Sequence, residues 1–269
     1  MRNLKLVLAF DGTAYAGWQR QPDCPTIQGT VEEKIAVMTG AAVILNGAGR
    51  TDAGVHALGM VANFRTEAAI PCAGFRKGLN SMLPDDIRVL EVTEVESDFH
   101  ACHSAVAKTY FYNLILGREL MPMERLYNCR FPGHFALDTM RACLQSILGR
   151  HDFSSFEASG SRDPLWPSGR GAVREIFSAE LVEDPHCPGR LRFVVTGDGF
   201  LRHMVRNLVG TLVVVGQGKR SVADFSAMLA ARNRSCAGPT APPHGLFLQQ
   251  VHYHGLPGAD DFGQGGMCG

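Results

Sequence analysis

The order of apolar periodicities constrains the fold of this chain more than any single motif, because the same series of elements runs through it twice. From Asn3 to Phe10, Leu4, Leu6, Leu8 and Phe10 occupy alternate positions, the spacing of a strand with one buried face. After a turn-rich stretch ending at Pro25, Ile27, Val31, Ile35 and Met38 recur at helical spacing, and Gly40 is placed to stop that helix. Ala42 to Leu45 reads as a short strand and Val55 to Phe64 as a longer one. A helix starting at Pro71 carries Phe75, Leu79, Met82 and Leu83 and stops before Pro84, and Ile87 to Val95 is a strand again. Strand, helix, strand, strand, helix, strand is the split β-α-β order of ferredoxin-like units.

The second half repeats it. Ser104 to Leu116 reads as a strand, Leu137 to Leu148 as a helix, Val173 to Val182 and Leu191 to Val195 as strands, and Leu201 to Val215 as a helix. An added helix begins at Ser221, with Asp224 at capping-box spacing, and Leu246 to Tyr253 supplies the last strand. With 269 residues and 45% hydrophobic content the chain can bury the core that such a fold needs. The expected class is α+β: two ferredoxin-like β-α-β-β-α-β halves, residues 1–103 and 104–256, joined into one large, mainly antiparallel sheet with helices on one face and a central cleft. Residues 257–269, with six glycines and prolines among thirteen, read as a disordered tail.

Charge and cysteine usage narrow the class of partner. Basic and acidic residues balance at 26 each, so no global field draws the molecule to nucleic acid or to an anionic membrane, and any polyanion site must be a local cluster. The eight cysteines contain no C-x-x-C pair, which suits free thiols in a reducing compartment. His100-Ala101-Cys102-His103 has no second half-site of zinc-like spacing, so no metal is expected. The apolar run at the N-terminus ends at Asp11, short of a signal sequence, and Leu208 to Val215 is too short to span a bilayer. A soluble cytoplasmic protein without a membrane partner is the expectation.

One loop stands out for its chemistry. GAGRTDAGVHALG, Gly47 to Gly59, resembles a dinucleotide fingerprint until its sixth position, where Asp52 replaces the third glycine. The segment after it reads as a strand where that fingerprint needs a helix, so dinucleotide binding is not expected. An aspartate in a glycine-rich turn commonly bonds nearby amides. Here, however, Gly47, Gly49 and Gly54 would allow a ligand to approach the backbone, and Arg50 and His56 are polar groups that a turn does not require. Asp11-Gly12-Thr13 resembles the loop of aspartate-dependent phosphatases, but Ala9 stands where those place their nucleophile, so a turn is the simpler reading. In AVAKTYFY, strand alternation puts Lys108, Tyr110 and Tyr112 on one face, a set that suits nucleobases and phosphates, although a strand tyrosine is more often core. In GFLRHMVRNLVG, Arg206 sits among apolar neighbours, where a guanidinium calls for an anionic partner.

These motifs occur in one order: FDGTAYAGWQRQP, GAGRTDAGVHALG, AKTYFY, HDFSSF (His151 to Phe156), GFLRHMVRNLVG and AGPTAPPHGLFL (Ala237 to Leu248). The series resembles the tRNA pseudouridine synthase A (TruA) family, over about Leu4 to Tyr253. The resemblance implies Asp52 as the essential aspartate, Tyr110 as the tyrosine that contacts the target base, Arg206 as the partner of the aspartate, and Arg50 as the residue that helps extrude or replace the flipped nucleotide. His56 joins these as a substrate-side residue of the same loop. It further implies a cofactor-independent homodimer acting on uridines in the anticodon stem-loop of tRNA. The segment Ser161 to Arg174 is longer and richer in Pro, Gly and Trp than the family pattern.

The chemistry suits such residues. Pseudouridine formation breaks the N-glycosidic bond, turns the detached uracil and rejoins it through C5, with no added atoms; an ionised carboxylate can begin it as nucleophile or base. The base must leave its stack, at roughly a few kcal/mol, offset by stacking and phosphate contacts. Two other readings carry sequence marks of their own. A non-catalytic RNA-binding or chaperone module on the same fold would show an altered aspartate loop, and an aspartyl phosphohydrolase would need the carboxylate that Ala9 replaces.

Overall fold

The computed structural model describes residues 1–160 and 171–254. Within them the order is β1 (Arg2–Phe10), α1 (Ile27–Thr39), β2 (Asn46–Gly47), β3 (His56–Thr66), α2 (Cys72–Met82), β4 (Ile87–Val95), β5 (Ala105–Leu116), β6 (Cys129–Phe131), α3 (Leu137–Gln145), β7 (Gly149–Asp152), β8 (Val173–Glu183), β9 (Arg190–Gly197), α4 (Met204–Gly216), α5 (Val222–Ala231) and β10 (Leu246–Tyr253). This is an α+β chain with mainly antiparallel pairing. It forms two compact units, Met1–Lys108 with the stretch from Phe247 onward, and Thr109–Leu246. The proposed tail from Pro257, and Ser161 to Arg170 of the long segment, lie outside the described residues.

In the first unit the strand order is β4-β1-β3, with β2 antiparallel on β3, the arrangement that the split β-α-β series requires. β1 is central because its alternate residues Leu4, Leu6 and Leu8 are fully buried, each contributing about 2 kcal/mol of apolar burial. α2 adds Phe75 and Leu79 to this core, with the Phe75 ring edge-on to Phe64 at 5.7 Å. β10 then pairs in parallel with β3, Phe247 opposite His56 and Leu248 opposite Ala57, near the end of β3 that follows the aspartate loop.

The expected strand Ala42 to Leu45 does not form. Leu45 donates its N–H to Glu32 Oε1 (2.9 Å), and its carbonyl accepts from Gln28 Nε2 (3.1 Å), so side chains of α1 take the groups a ladder would use. The ladder is confined to Asn46 and Gly47.

In the second unit the order is β5-β9-β8-β7, with β6 parallel on β5. α4 is buried almost all round, from Met204 through Leu208, Leu212 and Val215, and lies against α3 and α5. It starts three residues later than its apolar pattern suggests, because His203 takes a left-handed conformation (φ 62) that a continuing helix excludes. α3 likewise stops at Gln145, short of Leu148. Gly210 marks the face of α4 on which the chain after α5 lies: a Cβ there would stand 1.7 Å from the Pro239 carbonyl oxygen.

Candidate active site

In the first unit the aspartate loop is cast against the segment Asp11 to Trp18. Trp18 donates its N–H to the Thr51 carbonyl (3.1 Å) and Gly54 donates to the Tyr15 carbonyl (3.4 Å). Val55 N–H closes a turn onto the Asp52 carbonyl (3.2 Å) with Gly54 at φ +74, and Ala48 N–H reaches Val61 (2.8 Å). The mould itself is fixed. Trp18 is buried, and Tyr15 donates its hydroxyl to Asp86 at 2.7 Å, burial and that carboxylate together raising the phenol above its ordinary range. Asp11 makes the turn its sequence suggests, its Oδ1 accepting from Thr13 N–H (2.9 Å) and from the Thr13 hydroxyl (2.6 Å).

This packing revises the role of the glycines. A Cβ at Gly47 would lie 2.6 Å from the Trp18 indole, and Gly54 supplies the positive φ of the turn, so both make room for the protein's own chain. Gly49 has more space, its nearest neighbour being the Lys108 side chain at 3.8 Å. On the loop they shape, Thr51 is buried, while Asp52 on one side of it is half-buried and Arg50 on the other is exposed.

His56 begins β3 and is 1% exposed. Its Nδ1 lies 3.1 Å from Gly12 N and 3.0 Å from Asp11 Oδ1, so it accepts from the amide when unprotonated and donates to the carboxylate when protonated. Its ring stacks on Phe247 at 4.6 Å. The ring that the sequence placed beside a substrate is thus built into the frame of the loop.

In the second unit Tyr110 is 8% exposed and meets Phe200 edge-on at 5.0 Å. Two residues on, Tyr112 donates its hydroxyl to the Pro242 carbonyl (2.8 Å), and burial drives its phenol far above the ordinary value. Arg206 binds the adjoining peptide: its Nε donates to the Ala241 carbonyl (2.8 Å), and Ala241 N–H returns a bond to the Arg206 carbonyl (3.1 Å). The strand and the helix that carry Tyr110 and Arg206 are therefore held by neighbouring residues of one loop.

Sequence reasoning missed the group behind this arrangement. Asn207, fully buried, donates to the Phe156 carbonyl (2.7 Å) and accepts at Oδ1 from Thr240 Oγ1 (2.6 Å) and Arg234 Nη2 (3.1 Å). HDFSSF, GFLRHMVRNLVG and AGPTAPPHGLFL meet at this side chain. Its sequence signal was an asparagine in an otherwise apolar helix, a polar group that burial obliges to find partners.

The five residues singled out from sequence thus fall into two sets. Arg50, Asp52 and His56 share one loop of the first unit, and Tyr110 and Arg206 belong to the second. Among the described residues no three His, Cys, Asp or Glu side chains gather as metal ligands do, and no helix is long and apolar enough to cross a membrane.

Comparison with known proteins places this architecture. The family model described as tRNA pseudouridine synthase matches residues 6–104 and 143–254, spans that include Arg50, Asp52, His56 and Arg206 but not Tyr110. The chain belongs to the tRNA pseudouridine synthase family. Within it, the chain is 49% identical to tRNA pseudouridine synthase A 1 of Desulfotalea psychrophila, covering 94% of this chain and 100% of the relative. It is 45% identical to tRNA pseudouridine synthase A of Geobacter sp. (strain M21), over 94% and 99% of the two chains, and 40% identical to that of Lacticaseibacillus casei, over 94% and 100%.

Proposed function

We propose that this chain isomerises uridines in the anticodon stem-loop of tRNA to pseudouridine, with Asp52 as the catalytic carboxylate and a homodimer as the working form. The observation that carries the reading is the presentation of Asp52, half-buried on a loop whose backbone is bonded to Tyr15, Trp18 and Val61. Such anchoring fixes a carboxylate before substrate arrives, so that its reach does not have to be ordered during the reaction. The C1′–N1 bond breaks, a C1′–C5 bond forms, the C5 proton leaves to solvent and N1 gains one. In this reading Arg206 is the partner of the aspartate and Tyr110 the residue that meets the base. Arg50, two residues before Asp52 and exposed, takes the space the flipped nucleotide vacates. His56 acts at one remove, positioning the loop through Asp11 and Gly12.

Unmodified tRNA tritiated at uracil C5 tests the reading. Wild-type protein is expected to release tritium to water and Asp52→Ala to release none; a wild type that releases none from any tRNA would overturn it. Replacing the anticodon stem-loop uridines by cytidine is expected to abolish release, and persistent release would move the target elsewhere in the tRNA. Light scattering in solution reads the dimer, and a monomeric mass at micromolar concentration would remove that part of the proposal.

A further inference from the structure

A concave surface lies wholly within the second unit. Ser159, Arg202, His203, Arg234, Ser235 and Thr240 line a cavity of about 410 Å³. Among the described residues no carboxylate lines it. Arg234 is held in place from behind, Nη2 donating to Asn207 Oδ1 and Thr240 Oγ1 and Nη1 to the Ala237 carbonyl (3.4 Å). Of its five donors, Nε–H and one Nη1–H carry no bond among the described residues. Arg202 is exposed. Arg202 and His203 directly precede α4, whose first turn receives no side-chain cap from His203, so the positive end of that helix opens beside the same cavity.

We propose that this cavity is a phosphate-binding subsite that takes one phosphodiester of the RNA backbone. The proposal rests on the reading of the chain as an RNA-modifying isomerase. The Arg202 guanidinium supplies planar paired donors for phosphate oxygens, Arg234 supplies single charged ones, and the hydroxyls of Ser159 and Ser235 supply neutral ones. Its volume falls in the range of sites that enclose a ligand larger than a lone anion, about 300–1,000 Å³, which leaves room for the flanking riboses. The cavity also answers the charge problem set by the sequence, since a neutral chain must hold RNA through local clusters. The buried Asn207 ties one wall of this subsite to α4, the helix of Arg206, so a phosphate held here would register the RNA against that helix.

Filter binding of unmodified tRNA across a salt series tests the subsite without turnover. Arg202→Gln and Ser235→Glu alter exposed positions and spare the Asn207 network, and thermal melting verifies that both fold. Each is expected to weaken tRNA binding about 3- to 10-fold, and Arg202→Gln to lower the slope of log K against log salt by about 0.7–0.9, the share of one phosphate. Wild-type affinity and slope in both variants would overturn the proposal. Orthophosphate at matched ionic strength separates the source of the anion: it should displace tRNA from wild type more than chloride does, and lose that excess in Arg202→Gln. If orthophosphate binds at the cavity while both variants bind tRNA normally, the site serves a free anion and the proposal falls. A protein that binds tRNA through the cavity yet releases no tritium would overturn the proposed function and leave the subsite standing.

Discussion

The loop that presents Asp52 is held by backbone bonds to Tyr15, Trp18 and Val61. Replacing Asp52 by Asn keeps the volume and removes the charge, and should lower the isomerisation rate at least about 1,000-fold while tRNA affinity stays within a few-fold; single-turnover kinetics beside filter binding would separate the two. Gly47→Ala makes the complementary test, because its methyl group must displace the Trp18 indole that supports the loop. Overpacking of this kind costs about 1–3 kcal/mol, read as a lower urea midpoint and a shifted tryptophan emission. At this scale the sequence drew attention where composition was odd for its context: an aspartate interrupting a glycine fingerprint, half-buried on its loop, and an arginine amid apolar neighbours, bonded to the Ala241 carbonyl. It misled where a residue's partner lay in another segment. The glycines around Asp52 invited a ligand in the reading of the chain, yet Trp18 fills the space at Gly47 and Gly54 serves the turn, and the burial of His56 depends on Asp11 and Phe247, which no local pattern connects to it.

Among the elements, α4 depends most on a single polar side chain. Asn207→Leu would remove the donor to the Phe156 carbonyl and the acceptor shared by Thr240 Oγ1 and Arg234 Nη2, a loss of about 2–4 kcal/mol that calorimetry would detect. α5 carries the capping box expected from its sequence, Ser221 Oγ accepting from Asp224 N–H (3.1 Å) while Asp224 Oδ2 accepts from Ser221 N–H (2.8 Å). Ser221→Ala should cost about 1 kcal/mol. The turn before β6 gives a pH signature. Glu124 bonds Arg118 and the Met121 amide and pairs with Arg190, which together lower its carboxyl to about 2 from 4.5. Its folded value lies below its unfolded one, so its contribution is complete above about 4.5 and fades as the pH falls toward 2. Glu124→Gln should flatten the acid limb of a stability-against-pH curve in that window and lower the curve above it, with little change below about pH 2. Strong periodicity made β1, α1, α2 and β4 readable to within a residue or two. β6 and β7 escaped because three or four residues are too few to show a period, and Ala42 to Leu45 deceived because α1 takes its backbone bonds.

For the whole molecule, the duplicated order of elements predicted the α+β class and the ferredoxin-like connection of the first unit. It did not predict that the closing strand of the second series would be counted with the first unit. The described cysteines, Cys24, Cys72, Cys102, Cys129, Cys143, Cys187 and Cys236, are all free thiols. No cross-link among them contributes to stability, so the melting temperature should be the same with and without dithiothreitol to within about 1 °C.

The pairing of β10 with β3 also has a bearing on biosynthesis. The aspartate loop is translated well before Phe247, against which His56 stacks and which follows it far along the chain. A nascent chain, or one truncated before Phe247, therefore carries every residue of the aspartate loop without the wall behind it, and the loop is completed only after Phe247 has left the ribosome.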